Sequence, residues 1–183
     1  ARGEVVLVDL QSGAALQTLA LDGTLQVVII SCDFAYAVSL TKLHVLPFGR
    51  GALSPVGAIE LITPTTARRL FAADGLVRVV HSSHFDTYDV STPAAPKILR
   101  QGSPFAAGWR HLALNGSGLA LGAVGMTDDT PATGLTLFDV RDTTALPKLI
   151  ESIPFPGMAR AVSIYNGRAY SAAHTAGLQV VNY

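Results

Sequence analysis

The stretch Leu135-Thr136-Leu137-Phe138-Asp139 is an apolar strand that closes on an acidic residue. Nearly the same ending occurs four more times. The other copies are Val5-Val6-Leu7-Val8-Asp9, Leu43-His44-Val45-Leu46-Pro47, Phe85-Asp86-Thr87-Tyr88-Asp89 and Leu178-Gln179-Val180-Val181-Asn182. They end at residues 9, 47, 89, 139 and 182, so a unit of about 40 residues repeats. A strand-rich repeat of that length predicts an all-β chain in which each unit is a four-stranded antiparallel blade of a β-propeller.

Turn residues separate the strands within each unit. In the third unit we expect strands over residues 68–73, 76–80 and 85–90, and a fourth, outer strand that begins at residue 97. Asp74-Gly75 predicts a tight hairpin between the first two strands, because this dipeptide supplies the positive φ angles that such a turn requires. Asn166-Gly167 predicts the same hairpin in the last unit.

The repeat predicts one array over residues 1–183. We expect a partial blade over residues 1–21, full blades over 22–55, 56–100 and 101–153, and a partial blade over 154–183. This division gives seventeen strands, one more than a closed ring of four blades would hold, so we expect an arc or part of a larger propeller. The chain begins at Ala1, almost inside a strand, and we expect it to be an excised piece.

The composition excludes several classes of protein. Hydrophobic residues make up 49% of the chain and charged residues 14%, which is not the composition of a disordered chain. Thirteen Lys and Arg balance thirteen Asp and Glu, so the basic surplus of a nucleic-acid binder is missing. No apolar run approaches the ~20 residues that cross a bilayer. Cys32 is the one cysteine, and we expect it to be an inert packing residue.

One segment carries a family resemblance. Asp89-Val90-Ser91-Thr92-Pro93-Ala94-Ala95-Pro96-Lys97 resembles the LVIVD repeat of bacterial and archaeal proteins. Residues 139–148 resemble the repeat more loosely, and residues 177–182 are similar to its middle. The resemblance covers about residues 56–183 and departs from the pattern before them, where Pro47 replaces the aspartate. It implies a propeller of an exported, periplasmic or cell-surface protein, and it implies no reaction.

The strand-ending aspartates predict a structural role. Asp9, Asp89 and Asp139 each close the third strand of a unit, just before a turn. An aspartate at this place accepts backbone N–H groups in an Asx turn. We therefore expect these carboxylates to hold turns rather than to act in catalysis.

Arginine recurs at the start of the innermost strand. Arg68, Arg110 and Arg160 hold this position in three units, and Gln26 holds it in another. In a propeller, the position places guanidinium groups around the mouth of the central channel. The pattern predicts binding of a small anionic ligand or a carboxylate-bearing partner, for which the guanidinium fork is suited. The alternative is pairing with carbonyls or acids of neighbouring blades.

Histidine also recurs, at His81 and His174, each eight residues before the end of a third strand. The spacing His81-x-x-His84-x-Asp86 contains ligand types that hold a divalent metal. Strand alternation would not aim all three side chains at one point. The alternative is a pair of partly exposed loop histidines.

Two kinds of loop predict a binding face. The insertion at residues 125–134 carries Asp128 and Asp129, which are hard ligands for calcium or members of a solvated loop. The segments that enter two blades carry Phe105, Trp109 and Phe155. Aromatic side chains near arginine are typical anchors of an interface, and the alternative is that they fill gaps between blades.

No nucleophile elbow, phosphate-binding loop or dinucleotide fingerprint occurs in the sequence. We therefore expect a non-catalytic interaction or scaffold module with no cofactor, which binds a protein or small ligand on the loop face at the channel mouth. The alternative is a hydrolase or lactonase-like propeller enzyme with a His/Arg site over the channel. A third possibility is a purely structural piece of a longer propeller, or one that self-associates.

Overall fold

The computed structural model describes residues 2–49, 52–62, 69–81, 84–104, 109–115, 117–124, 134–142 and 147–183. In this part of the chain the secondary structure is β, apart from one 3-10 turn at His174–Ala176. The chain divides into two compact units, residues 1–103 and 104–183.

The first unit contains three antiparallel sheets. The first sheet consists of β1 (Arg2–Val8) and β2 (Ala15–Asp22). The second consists of β3 (Leu25–Ser31), β4 (Phe34–Ser39), β5 (Lys42–Gly49), β6 (Ala52–Leu53) and β7 (Gly57–Glu60). The third consists of β8 (Arg69–Ala73), β9 (Leu76–Val80), β10 (His84–Asp89) and β11 (Lys97–Pro104).

The second unit contains two antiparallel sheets. One has four strands, β12 (Trp109–Leu114), β13 (Leu119–Val124), β14 (Leu135–Asp139) and β15 (Lys148–Ile153). The other has three strands, β16 (Ala161–Tyr165), β17 (Arg168–Ala172) and β18 (Leu178–Asn182). Strands that follow one another in sequence lie side by side in both sheets, as the repeat predicts.

The hairpins between first and second strands have the predicted geometry. Asp74 and Gly75 have φ angles of 52° and 75°, and Asn166 and Gly167 have 49° and 73°. Cys32 lies in the corresponding turn between β3 and β4, with a φ of 51°. It is exposed, so the prediction of an inert packing residue was wrong. The strand ends before the thiol, and the tight turn directs it away from the core.

Alternating apolar side chains form the cores. Between the second and third sheets, Val38 and Val45 share a buried cluster with Val77 and Val79. In the second unit, Leu121 and Leu135 share a cluster with Val162 and Ala169. Each fully buried aliphatic side chain of this size contributes about 1.5–3 kcal/mol.

Apolar packing and a polar clamp join the first and second sheets. Leu21 is buried with Ala37 and Leu46 of the second sheet. The amide of Gln17, on β2, donates to the carbonyl of Leu53 and accepts its N–H, both at 2.7 Å. The clamp fixes β2 against the outer edge of the second sheet.

The outer strand of the second sheet differs from the prediction. It is split into β6, which pairs with Phe48 and Gly49, and β7, which pairs with residues 42–45. Pro55 lies between the two pieces and has no N–H to donate to a ladder. The sheet therefore runs to Glu60, past the predicted blade boundary at residue 55.

Candidate functional site

The aspartates that end third strands hold turns, as predicted. The Oδ1 atom of Asp9 accepts the backbone N–H of Ser12 at 2.7 Å, and that of Asp89 accepts the N–H of Ser91 at 2.9 Å. Asp139 accepts the N–H of Arg141 at 3.0 Å and also the Nε–H of its side chain. The hydrogen bond from the Arg141 side chain lowers the pKa of Asp139 to about 2.

A polar residue also recurs three residues before the end of the third strand. This recurrence was not predicted from the sequence. The residues at this position are His44, Asp86, Thr136 and Gln179. Two of these side chains are buried, with His44 5% and Asp86 0% exposed, whereas the first copy has the exposed Val6 at this position. The sequence signal was a polar residue at a constant distance from the strand end. The burial of these side chains could not be predicted from the sequence, because it depends on the sheet that packs over them.

His81 and Asp86 form a buried pair. Nε2 of His81 lies 3.4 Å from Oδ2 of Asp86, and their side chains are 1% and 0% exposed. The alternative interpretation, in which His81 is a partly exposed loop histidine, is therefore wrong. His81 follows β9 and Asp86 lies on β10, so the pair closes the turn between the second and third strands.

Tyr88 lies two residues after Asp86 and therefore on the same face of β10. Its hydroxyl accepts the backbone N–H of Ile62 at 3.3 Å. Burial raises the pKa of Tyr88 to about 12. Tyr88 thus joins β10 to the segment that leaves the second sheet, and the polar groups at this edge act in packing.

His44 is the corresponding buried group of the second sheet. Its cross-strand neighbours are Ala37 and Ala58, whose small side chains leave room for the imidazole. Among the described residues, its Nε2 atom has no hydrogen-bond partner. Burial lowers the pKa of His44 below 6.5, and a hydrogen bond to the backbone of Asp22 opposes that shift.

Three charged side chains lie at the edge of the sheet near His44. Lys42 Nζ lies 3.7 Å from Oδ2 of Asp22 and 3.5 Å from Oε1 of Glu60. The two acidic side chains are 77% and 70% exposed. We call Asp22, Lys42 and Glu60 the charged rim. Exposed ion pairs of this kind contribute about 0–1 kcal/mol each, so the rim adds little to stability.

Some of the predicted site residues lie outside the described part of the chain, and the others lie within it. Four of them, Arg68, Phe105, Asp128 and Asp129, lie outside the described residues. Trp109 and Arg110 begin β12 and His84 begins β10, and their side chains also lie outside the described part.

The remaining predicted residues have described positions. Arg160 is exposed just before β16, and its backbone N–H donates to the carbonyl of Ala172 at 2.8 Å. His174 is exposed on the 3-10 turn, with a φ of 51°. Phe155 is half-buried and packs against the core of the second unit, as a gap-filling side chain would. His81 and Asp86 are the predicted site residues that the described structure brings into contact.

No group of three or more His, Cys, Asp or Glu side chains able to hold a metal occurs in the described ranges. His81 and Asp86 meet as a pair, the metal site of His81, His84 and Asp86 stays a prediction, and so does calcium at Asp128 and Asp129. Over the same ranges, no helix is long and apolar enough to cross a membrane.

The chain resembles solved structures, whereas no protein-family model and no curated protein matches it. It is similar to a protein from Lactobacillus plantarum, with a TM-score of 0.63, 15% identity, and 99% of this chain and 64% of that one covered. It is similar to the Neurospora crassa Pan2 WD40 domain, with a TM-score of 0.55, 12% identity, and 87% and 47% covered. It is also similar to the computationally designed protein Ika4, with a TM-score of 0.56, 11% identity, and 88% and 92% covered.

These likenesses show the fold. WD40 domains are β-propellers with four-stranded blades, so this chain has the fold of an all-β propeller built of antiparallel blades. That prediction is confirmed. The chain spans about half to two thirds of the two natural structures named above. Membership of the LVIVD family and the arc arrangement stay predictions.

Proposed function

We propose that the chain is a non-catalytic interaction or scaffold module that binds a partner on its loop face. The loop face is the side that carries the turns between second and third strands, and the charged rim lies there, with Asp22 on the first sheet and Lys42 and Glu60 on the second. The observation that carries the proposal is the rim itself, where Asp22 and Glu60 are mostly exposed beside Lys42. The resemblance to the LVIVD repeat supports an exported, periplasmic or cell-surface location.

The charge of the rim suggests what a partner presents to it. Two carboxylates and one ammonium leave one negative charge, which favours a cationic group on the partner. Surface charge of this kind speeds association and selects partners more than it adds affinity. The anionic ligand that Arg68, Arg110 and Arg160 predict at the channel mouth stays a prediction.

The enzyme alternative has less support. A hydrolase or lactonase-like site over the channel needs an imidazole that a substrate can reach. His81 is 4% exposed, and its ring lies against Asp86. His81 therefore does not face a substrate, whereas His174, the other recurring histidine, is exposed on the 3-10 turn.

Site-specific photo-crosslinking tests the proposed face. A photoreactive amino acid replaces Thr41, exposed beside Lys42, or Thr92, exposed in a turn at the other end of a third strand. With an extract of the source organism, we expect a discrete cross-linked species from position 41 that excess unmodified chain suppresses. Position 92 is the matched control. The same product from both positions, or none from position 41, contradicts the proposal.

A further inference from the structure

A cleft of about 200 Å³ lies between the second and third sheets, at the end of the strands opposite the loop face. Two hairpin turns form its walls, the β3–β4 turn at residues 31–34 and the β8–β9 turn at residues 73–76. The segment that follows β10 closes a third side. The hydroxyl of Ser31 donates to the carbonyl of Ala72 at 3.1 Å, so the two hairpins are joined beside the cleft.

Two of the polar side chains that line the cleft are already bonded within the fold. Besides Ser31, the hydroxyl of Ser91 donates to the carboxylate that ends β10, at 2.6 Å. Three polar side chains remain, Cys32, Tyr36 and Asp74, and none of them makes a side-chain hydrogen bond in the described part of the chain. The cleft therefore offers a thiol, a phenol and a carboxylate to a ligand.

Tyr36 is the residue that points to a ligand. Its ring packs in the buried cluster with Val38 and Val45, and only 6% of the residue is exposed. Burial raises the pKa of Tyr36, and the nearby sulfur of Cys32 raises it further, so the hydroxyl lies on the Cys32 side of the ring. A buried hydroxyl without a partner costs free energy. A ligand in the cleft would supply the missing partner.

Cys32 and Asp74 occupy the same place in neighbouring sheets, the turn between the first and second strands, with φ angles of 51° and 52°. Both are exposed at the mouth of the cleft. Asp33 follows Cys32 in its turn, so the thiol has one acidic residue beside it and another across the cleft. Arg78, on the same hairpin as Asp74, is buried on the other face of β9 from the one that packs on the second sheet. The mouth therefore favours a cationic reagent over an anionic one.

We propose that Cys32 is a modification site, at which a short cationic thiol forms a reversible mixed disulfide and lays its ammonium group in the cleft. There the ammonium donates to the hydroxyl oxygen of Tyr36 and interacts with the carboxylate of Asp74. A ligand small enough for this cleft has little affinity of its own, and the covalent bond to Cys32 holds it in place. The proposal goes beyond the loop-face function and uses residues at the other end of the sheets, so either can fail without the other.

The oxidant of this reaction is the disulfide of the cationic thiol itself. The Cys32 thiolate attacks one sulfur of that disulfide, a new S–S bond forms to Cys32, and the S–S bond of the reagent breaks. The second half of the reagent leaves as a thiolate and takes up the proton that Cys32 lost. One disulfide is consumed, and one mixed disulfide and one free thiol are produced, so an excess of the thiol restores Cys32.

Thiol–disulfide exchange of the full chain with cystamine, the disulfide of cysteamine, tests the proposal. Intact-mass spectrometry after an acid quench gives the equilibrium constant of the mixed disulfide, and the neutral 2-hydroxyethyl disulfide gives a reference constant. The ratio of the two constants is measured again in denaturing urea, where the cleft no longer exists, which removes the intrinsic difference between the reagents. We expect the native ratio to exceed the unfolded ratio at least about tenfold, as a hydrogen bond from a charged group would give.

Tyr36→Phe removes the hydroxyl and keeps the ring, and it breaks no hydrogen bond among the described residues. We expect it to lower the native ratio at least about threefold. Tyr165→Phe is the control, since Tyr165 is a 74% exposed tyrosine on β16, and we expect its ratio to stay within about twofold of the wild type. Equal native and unfolded ratios, or equal ratios for Tyr36→Phe and the wild type, overturn the proposal. So does a disulfide-linked dimer that forms through Cys32 in place of the cysteamine adduct.

Discussion

The Nε2 atom of His81 lies 3.4 Å from the Oδ2 atom of Asp86, and both side chains are buried in the first unit. The two residues come from consecutive strands, so the contact holds the turn between them. A buried carboxylate has lost its hydration, and its neighbours must replace that interaction. The pair is therefore a point where a small change in sequence has a large structural effect.

We predict that Asp86→Asn lowers the free energy of unfolding by about 1–3 kcal/mol, because it disturbs a buried polar contact with His81. Urea unfolding at pH 7 measures the change. Asp89→Asn is the control, since Asp89 lies on the same strand but its carboxylate faces an exposed turn. We expect a smaller loss for the control. Equal losses would mean that the buried contact adds nothing beyond the turn.

Titration of Asp139 tests its bond to Arg141. Its pKa is lowered from 3.8 to about 2, so its contribution to stability is fully present above about pH 4 and is lost as the pH falls towards 2. We predict a carboxyl midpoint near 2 by NMR. Arg141→Ala should move the midpoint upward, since it removes the largest cause of the shift. A midpoint that does not move contradicts the assignment.

The buried imidazole of His44 gives the folding stability a different pH dependence. Burial lowers its pKa below 6.5, so the unfolded chain takes up a proton before the folded chain does. The contribution to stability is present above pH 6.5 and is lost as the pH falls through the lower pKa of the folded state. We predict that the melting temperature falls less between pH 7.5 and 5.5 in His44→Gln than in the wild type. Equal falls would show that His44 titrates normally.

A substitution at Gly57 tests the packing between the second and third sheets. A Cβ atom here would overlap the carbonyl oxygen of Pro93. We predict that Gly57→Ala costs about 1–3 kcal/mol through this overlap, measured by urea unfolding. Gly13→Ala is the control, because Gly13 has no atom near its Cβ position and is strained only by its φ of 71°. A loss no larger than that of the control would contradict the close approach.

The repeated strand endings predicted much of the fold. Asp89 and Asp139 hold Asx turns, and Asp74-Gly75 and Asn166-Gly167 form the expected hairpins. These features depend on a few neighbouring residues, whose backbone angles and hydrogen bonds are local. The split of the outer strand at Pro55 was also local, but Pro55 was not read as an interruption of that strand.

The strands, their order and the turns could be predicted from the sequence, because side-chain alternation and turn chemistry act over a few residues. Which polar side chains are buried became visible only in the packing of the sheets. His81 and His174 occupy the same position in their units, yet one is buried against an aspartate and the other is exposed. Likewise Val28 and Leu70 are both apolar residues of first strands, and their exposure differs with the sheet that precedes them. Burial depends on contacts between distant segments, which no short stretch of sequence encodes.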